Sequence, residues 1–145
     1  MQAFQFGYRF CLALAIGLAF GCGPGGPEVG EVEGTVLLGG EPLEGALVMF
    51  TPADGGRPAA ARTDAEGHYE LLYTQGRTGA LLGEHTVTIS TFQEADPGAG
   101  VPSIPEKVPA KYNVNTELRE TVDIEGSVIN FDLDEKGEII EPTLN

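Results

Sequence analysis

Short apolar runs, separated by glycine and proline turns, occupy most of the sequence after residue 30. In the first run, Val32, Val36 and Leu38 share one face, whereas Glu33 and Thr35 share the other. This period-two alternation is typical of a β-strand with one buried face. The 21 glycines and ten prolines supply turns, because glycine admits positive φ and proline fixes its own φ. The pattern therefore predicts an all-β fold built from short strands.

The same alternation predicts seven strands, and no helix is expected after the N-terminal apolar segment. The predicted strands are 32–38, 46–51, 59–63, 68–73, 84–92, 118–124 and 128–133. The side chains assigned to the core include Ala46, Val48, Phe50, Tyr69, Leu71, Tyr73, His85, Val87, Ile89, Leu118, Val122, Ile124, Ile129, Phe131 and Leu133. Seven short strands at this spacing predict an antiparallel β-sandwich of two sheets. Residues 31–133 suffice for one such domain.

The N-terminal segment has the features of an export signal. An apolar run, 10–20, follows Arg9, which is the only basic residue among the first 22. A basic start, a short apolar core and a small residue at the cut are typical of a secretory signal peptide. The run is shorter than the roughly 20 residues that a membrane-spanning helix needs, which makes a retained transmembrane anchor the weaker alternative. Residues 1–21 are therefore predicted to be a signal peptide.

The residues Ala19-Phe20-Gly21-Cys22 resemble the lipobox of bacterial lipoproteins, although Phe20 is bulkier than that motif usually has. The resemblance implies cleavage before Cys22 and acylation of this cysteine. It also implies a Gly/Pro-rich tether, 22–30, and a protein anchored in the bacterial cell envelope, in the periplasm or at the cell surface. The alternative is an ordinary cut near residues 21–26 followed by secretion.

The strong negative charge restricts the partners of the exported chain. Without the signal it has seven basic side chains against 22 acidic ones, which leaves a formal charge of −15. Such a chain repels phosphate backbones and anionic head groups, so neither nucleic acid nor charge-driven membrane binding is expected. Cys11 lies in the signal and acylation would consume the Cys22 thiol, so no disulfide is expected. The acidic tail, 134–145, is predicted to be flexible.

Four motifs connect the first half of the domain with a known family. They resemble the carboxypeptidase regulatory-like domain, which has a transthyretin-like (prealbumin-like) β-sandwich. The match covers 32–91, while 104–113 and a hairpin over 118–133 resemble the C-terminal half of small bacterial lipoproteins built on this module. The motifs are Gly34-x-Val36, Pro42-Leu43-x-Gly45-Ala46-x-Val48-x-Phe50, Thr63-Asp64-x-x-Gly67-x-Tyr69 and Gly79-Ala80-x-x-Gly83-x-His85-x-Val87-x-Ile89.

The resemblance implies a fold and not an activity, because the matching residues are turn glycines and core apolar residues. The two histidines, His68 and His85, lack the HxH and HExxH spacings of metal sites. Residues 132–137 begin like a calcium loop, but Lys136 and Thr143 occupy positions that need ligands. No G-x-S-x-G nucleophile motif occurs. The chain is therefore predicted to be non-catalytic, with no metal and no cofactor.

Two features could form an interaction surface. Leu47 and Met49 alternate with core residues, so they face away from the core, where a loop could cover them or a partner could bind. The segment 92–115 contains four prolines and Tyr112, and loops of this length are often functional. The sequence thus predicts a structural or interaction module with a protein or glycan partner. The alternative is a carbohydrate- or peptide-binding module that uses this loop.

Overall fold

The computed structural model describes residues 26–142. The predicted signal peptide, Cys22 and the first part of the tether lie outside the described residues. Within the described part, thirteen β-strands and one 3₁₀ turn, Ala110–Tyr112, form the structure. The strands are β1 Val29–Gly30, β2 Val32–Leu38, β3 Glu41–Pro42, β4 Leu47–Pro52, β5 Ala59–Arg62, β6 His68–Glu70, β7 Leu72–Thr74, β8 Arg77–Thr78, β9 Ala80–Leu81, β10 Gly83–Ser90, β11 Arg119–Val122, β12 Ser127–Val128 and β13 Phe131–Leu133.

The larger sheet has six strands in the order β11-β10-β4-β5-β7-β8, and every neighbouring pair is antiparallel. Its longest ladder joins β10 to β4, from His85 opposite Pro52 to Ser90 opposite Leu47. The threonines and β-branched residues of these two strands favour the extended backbone. This ladder forms the centre of the sheet.

The second sheet is organised around β2. Strands β3 and β6 pair with it in the antiparallel direction. Strands β12 and β13 pair with it in the parallel direction, with Ser127 opposite Val32 and Phe131 opposite Val36. A separate two-stranded ladder joins β1 to β9.

Both large sheets contribute to one core. The Phe131 ring from β13 lies 6.4 Å from the Phe50 ring of β4 and 6.3 Å from the Tyr69 ring of β6, measured between centroids. The Tyr69 hydroxyl donates a 2.7 Å hydrogen bond to the Ile129 carbonyl, so the buried phenol is satisfied. The core cluster comprises Val32, Val36, Leu43, Ala46, Val48, Phe50, Ala59, Tyr69, Leu71, Ala80, Val87, Ile89, Val108, Val122, Phe131 and Leu133.

The direction of the last strands corrects the prediction. Residues 118–133 were expected to form a hairpin in an antiparallel structure, but β11 joins the larger sheet while β12 and β13 run parallel to β2. The turn at 123–126 carries the chain from one sheet to the other, and β12 starts beside the first residue of β2. Alternation identifies the inward face of a strand, but it carries no information on the direction of the neighbouring strand.

Two further details differ from the sequence prediction. The single strand expected at 68–73 divides at Leu71, because β6 pairs with β2 while β7 pairs with β5 in the other sheet. Leu71 is fully buried at this crossing, and its amide donates to the Val32 carbonyl. Ile124 was assigned to the core but is 61% exposed, because β11 ends at Val122 and Ile124 lies in the following turn.

Candidate interaction surface

The outer face of the six-stranded sheet is the surface on which Leu47 and Met49 lie. Their strand neighbours Val48 and Phe50 are fully buried, so Leu47 and Met49 point away from the core, as predicted. Both are half-buried and neither joins the core cluster. We use the term outer face for the strand residues Leu47, Met49, Thr51, Ala60, Arg62, Leu72, Thr78, Glu84, Thr86, Thr88, Ser90, Arg119 and Thr121, placed on this side by register and alternation.

An apolar row crosses the middle of the outer face. Met49 lies opposite Thr88 on one side and Ala60 on the other, and Ala60 lies opposite Leu72. Leu72 is 51% exposed. The alternation at 68–73 predicts that Leu71 points into the core, and the structure confirms this. Leu72 thus extends the predicted surface.

Charge is distributed unequally between the two sheets. Glu84 is the single acidic residue that the described strands contribute to the outer face, which also carries Arg62 and Arg119. The second sheet instead places Glu33 directly opposite Glu70. Glu31, Glu33, Glu70 and Glu125 line an open cleft of about 280 Å³ there. The outer face is therefore a nearly neutral, threonine-rich surface on a strongly acidic chain.

Tyr112 is held by contacts within the domain. It lies on the 3₁₀ turn and packs partly against the core cluster, which Leu47 and Met49 do not join. Its hydroxyl accepts a 3.1 Å hydrogen bond from the Asp134 amide, and the Lys111 ammonium lies 5.1 Å from its ring centroid. Lys111 also forms a 3.6 Å ion pair with Asp134. These contacts connect the turn to the start of the C-terminal tail.

The proline-rich loop consists of an exposed arm and a buried base. Gln93 and Ile104 exchange two backbone hydrogen bonds of 2.9 Å, and Asp96 and Val101 are bridged further out. The arm, defined here as 93–104, is exposed from 94 to 100. Its outermost turn is stabilised by the Asp96 side chain, which accepts from the Gly98 amide at 3.0 Å.

The base of the loop is built on Glu106, which is only 6% exposed. One carboxylate oxygen accepts hydrogen bonds from the amides of Thr91 and Val108, each at 2.9 Å, and from the Thr91 hydroxyl at 3.0 Å. The Ser90 hydroxyl donates to the other oxygen. Burial by itself would raise the pKa of Glu106, but the hydrogen bonds from Ser90, Thr91 and Val108 outweigh it and lower the pKa below its ordinary value.

Sequence reasoning missed this role of Glu106. The only sequence signal is an isolated carboxylate between Pro105 and the run that starts at Val108, in a loop whose backbone amides have no strand partner. A buried carboxylate that accepts several amide hydrogen bonds fixes the backbone around it. Glu106 thus holds the root of the arm against the end of β10.

The two histidines have different surroundings. His68 is exposed on β6, opposite Thr35, whereas His85 is fully buried on β10 with its ring 5.8 Å from that of Phe50. The His85 Nδ1 lies 3.0 Å from the Gly83 carbonyl, and Nε2 has no partner among the described residues. Burial lowers the pKa of His85, and the Gly83 carbonyl opposes this only in part. His85 is therefore a neutral core residue.

No cluster of three or more His, Cys, Asp or Glu side chains within residues 26–142 is arranged to hold a metal ion. The same residues include no helix with the length and apolar character needed to cross a membrane. A scan against models of known protein families finds no match, and a search of curated proteins finds none either. The structure therefore stands as a mostly β-strand domain without a family assignment.

Proposed function

We propose that this chain is a non-catalytic, exported lipoprotein that is anchored in the bacterial cell envelope through Cys22 and binds a partner through the outer face. The observation that carries the binding proposal is the near absence of acid from a face that displays an apolar row. Isolated exposed apolar residues are common, whereas adjoining apolar residues with a polar rim are a feature of interaction sites, and this supports the proposal.

The fold proposed for the module is a transthyretin-like sandwich of the carboxypeptidase regulatory-like type. Its support is that apolar residues of the motifs are buried in a core to which two large sheets contribute, as in a sandwich. Val36, Val48 and Val87 are fully buried, and the two large sheets share one core. Gly67 has φ +76°, and a Cβ there would lie 2.5 Å from the Val36 carbonyl oxygen, so this turn needs a glycine.

The partner is argued from charge. The remaining surface repels acidic macromolecules, whereas the outer face offers Arg62 and Arg119 beside the apolar row. Charge complementarity across an interface improves both specificity and the rate of association. The best fit is a protein surface that is apolar at its centre and acidic at its rim.

The binding proposal is tested by site-specific photo-crosslinking in the producing cell. A photoreactive side chain at Leu72 should yield an adduct of defined mass, and Met49→Glu should abolish it while the far-UV circular dichroism of the variant stays that of the wild type. The matched control site is Val128, which is 69% exposed on the second sheet and should give no such adduct. Equal adducts at both sites, or none at Leu72, would contradict the proposal.

The anchor is tested separately by intact mass. Protein made in a bacterial host should begin at Cys22 and carry acyl chains, which contribute about 0.8 kcal/mol of membrane affinity per buried CH₂. Cys22→Ala should move the protein from the membrane fraction to the soluble fraction. An unmodified mature mass would refute the anchor and leave the alternative of a secreted protein.

A second candidate is a glycan- or peptide-binding module that uses the 92–115 loop. The observation that favours it is the exposed arm, which is held at its root by Glu106. Binding on a glycan or peptide array should disappear when 94–100 is replaced by a short glycine linker, with the outer face left intact. An array signal no higher than background would eliminate this candidate.

A further inference from the structure

The chain segment that enters the domain is bound to it from Pro27 onward. The Arg77 guanidinium donates a 2.7 Å hydrogen bond to the Pro27 carbonyl and lies 5.9 Å from the centroid of the Tyr73 ring. Val29 and Gly30 then pair as β1 with Leu81 and Ala80 of β9. The last part of the predicted tether is therefore a strand of the domain.

Close backbone contacts fix the position of this segment on the domain. A Cβ on Gly30 would lie 1.9 Å from the Asp123 carbonyl oxygen, and a Cβ on Gly79 would lie 2.2 Å from the Gly30 carbonyl oxygen. Contacts this short cannot be relieved without moving backbone, so a side chain at Gly30 would displace β1. The two glycines allow the entering chain to lie directly between β9 and the turn after β11.

Few residues remain between the bound segment, 27–30, and Cys22. Only 23–26 separate Cys22 from Pro27, and this stretch spans at most about 18 Å when fully extended. The eight residues of β10 extend about 25 Å. They run from Gly83, near β1, to Ser90, next to the root of the arm. The free part of the tether, 23–26, is therefore shorter than the domain, whose length is at least that of β10.

We use the term tether end for the bound segment and the turns around it, which are 27–30, 53–58, 75–76 and 123–126. The arm lies at the opposite end, because β10 connects the two. In the tether end Glu28, Asp54, Asp123 and Glu125 outnumber Arg57, and Arg77 lies next to it. This end therefore has no charge-driven affinity for anionic lipid.

We propose that the tether end faces a lipid surface at close range and that the arm points away from it. This inference rests on the proposed lipid at Cys22. The orientation is set by the short free tether, 23–26, and by the bound segment, 27–30. It does not depend on binding of the domain to head groups. In this orientation the strands of the outer face run away from the membrane surface, and the arm lies at the far end of the domain.

The test couples the mature chain, which contains every described residue, through the Cys22 thiol to a maleimide phospholipid in phosphatidylcholine vesicles. A fluorophore on an unnatural amino acid is placed at Gln75, in the tether end, or at Ala99, in the arm. Energy transfer to acceptor-labelled head groups should be about threefold or more stronger from Gln75, because the length of β10, about 25 Å, separates the tether end from the root of the arm. Equal transfer from the two sites, or stronger transfer from Ala99, would overturn the proposal.

The matched variants are Gly30→Ala and Gly98→Ala, neither of which requires a positive φ. Gly30→Ala should displace β1, remove the hydrogen-exchange protection of its amides and reduce the difference between the two sites. Gly98→Ala, whose nearest atom to an added Cβ would be the Asp96 Oδ1 at 3.3 Å, should leave both readouts unchanged. A β1 segment in the unaltered chain with no protected amide would also refute the inference. Because the lipid is attached chemically, these results are independent of whether cells acylate Cys22.

Discussion

At the scale of single residues, the buried polar groups decide where the domain responds to substitution and pH. Glu106 accepts hydrogen bonds from three amides and two hydroxyls at the root of the arm. Removing one partner of a buried hydrogen bond leaves the other without compensation. The loop root is therefore expected to be sensitive to substitution of Glu106.

We expect Glu106→Ala to lower the free energy of unfolding by about 3 kcal/mol and Glu106→Gln by about 1–2 kcal/mol, since glutamine keeps the shape but loses the charge. The lowered pKa means that this contribution is fully present above the ordinary carboxyl pKa and is lost as pH falls through the folded value. Urea denaturation at neutral and acid pH measures both effects. Glu94→Gln, in the exposed arm, is the control, and an equal loss there would contradict the assignment.

His85 should produce a second, separate pH dependence. Its folded pKa is lowered, so the unfolded chain binds the proton first and stability falls as pH decreases below about 6.5. The loss continues until pH reaches the folded pKa. His85→Leu should remove this dependence of the free energy of unfolding on pH, whereas His68→Gln should leave it in place. A wild-type stability that is constant between about pH 7 and pH 5 would show that His85 is not buried in solution.

At the scale of elements, the second sheet contains an unfavourable cross-strand pair. Glu33 and Glu70 are directly opposite each other on β2 and β6, beside the acidic cleft. Like charges in this arrangement destabilise a sheet. Tyr69, which is buried between the exposed His68 and Glu70 of β6, supplies the core packing that offsets this repulsion.

Glu70→Lys should raise the free energy of unfolding by about 0.2–1 kcal/mol, because it replaces a repulsive cross-strand pair by an attractive one. Glu66→Lys makes the same change of charge in the adjacent turn, without a carboxylate opposite in the ladder. The difference between the two variants in urea isolates the pair from the change in net charge. Equal stabilisation by both would assign the effect to net charge alone.

The strands could be predicted from the sequence because alternation directly reports which side chains face the core. The bounds of β2 agree with the predicted 32–38, and the predicted 84–92 differs from β10 by one residue at its start and two at its end. The parallel pairing of β13 and the change of sheet at Leu71 could not be predicted, because both depend on contacts distant in sequence. Glu106 was invisible for the same reason, since its partners at Ser90 and Thr91 lie 15 or 16 residues away.

At the scale of the whole molecule, repulsion dominates the electrostatics. The chain carries 22 acidic side chains against eight basic ones, and the described residues contain a single ion pair between side chains, Lys111 with Asp134. Exposed pairs of this kind contribute about 0–1 kcal/mol. A net charge far from zero destabilises the compact state through self-repulsion while it keeps the protein soluble.

Sodium chloride should therefore stabilise the fold. Raising the concentration to about 0.1 M shortens the Debye length to about 10 Å, which screens repulsion across the acidic surface but has little attractive pairing to weaken. The midpoint of urea denaturation should rise with salt, and urea is the required denaturant because guanidinium is itself a salt. Glu70→Lys should show a smaller rise than the wild type, since it has already lost one repulsive pair. A midpoint that falls with salt would mean that attractive pairs outweigh repulsion in the folded chain.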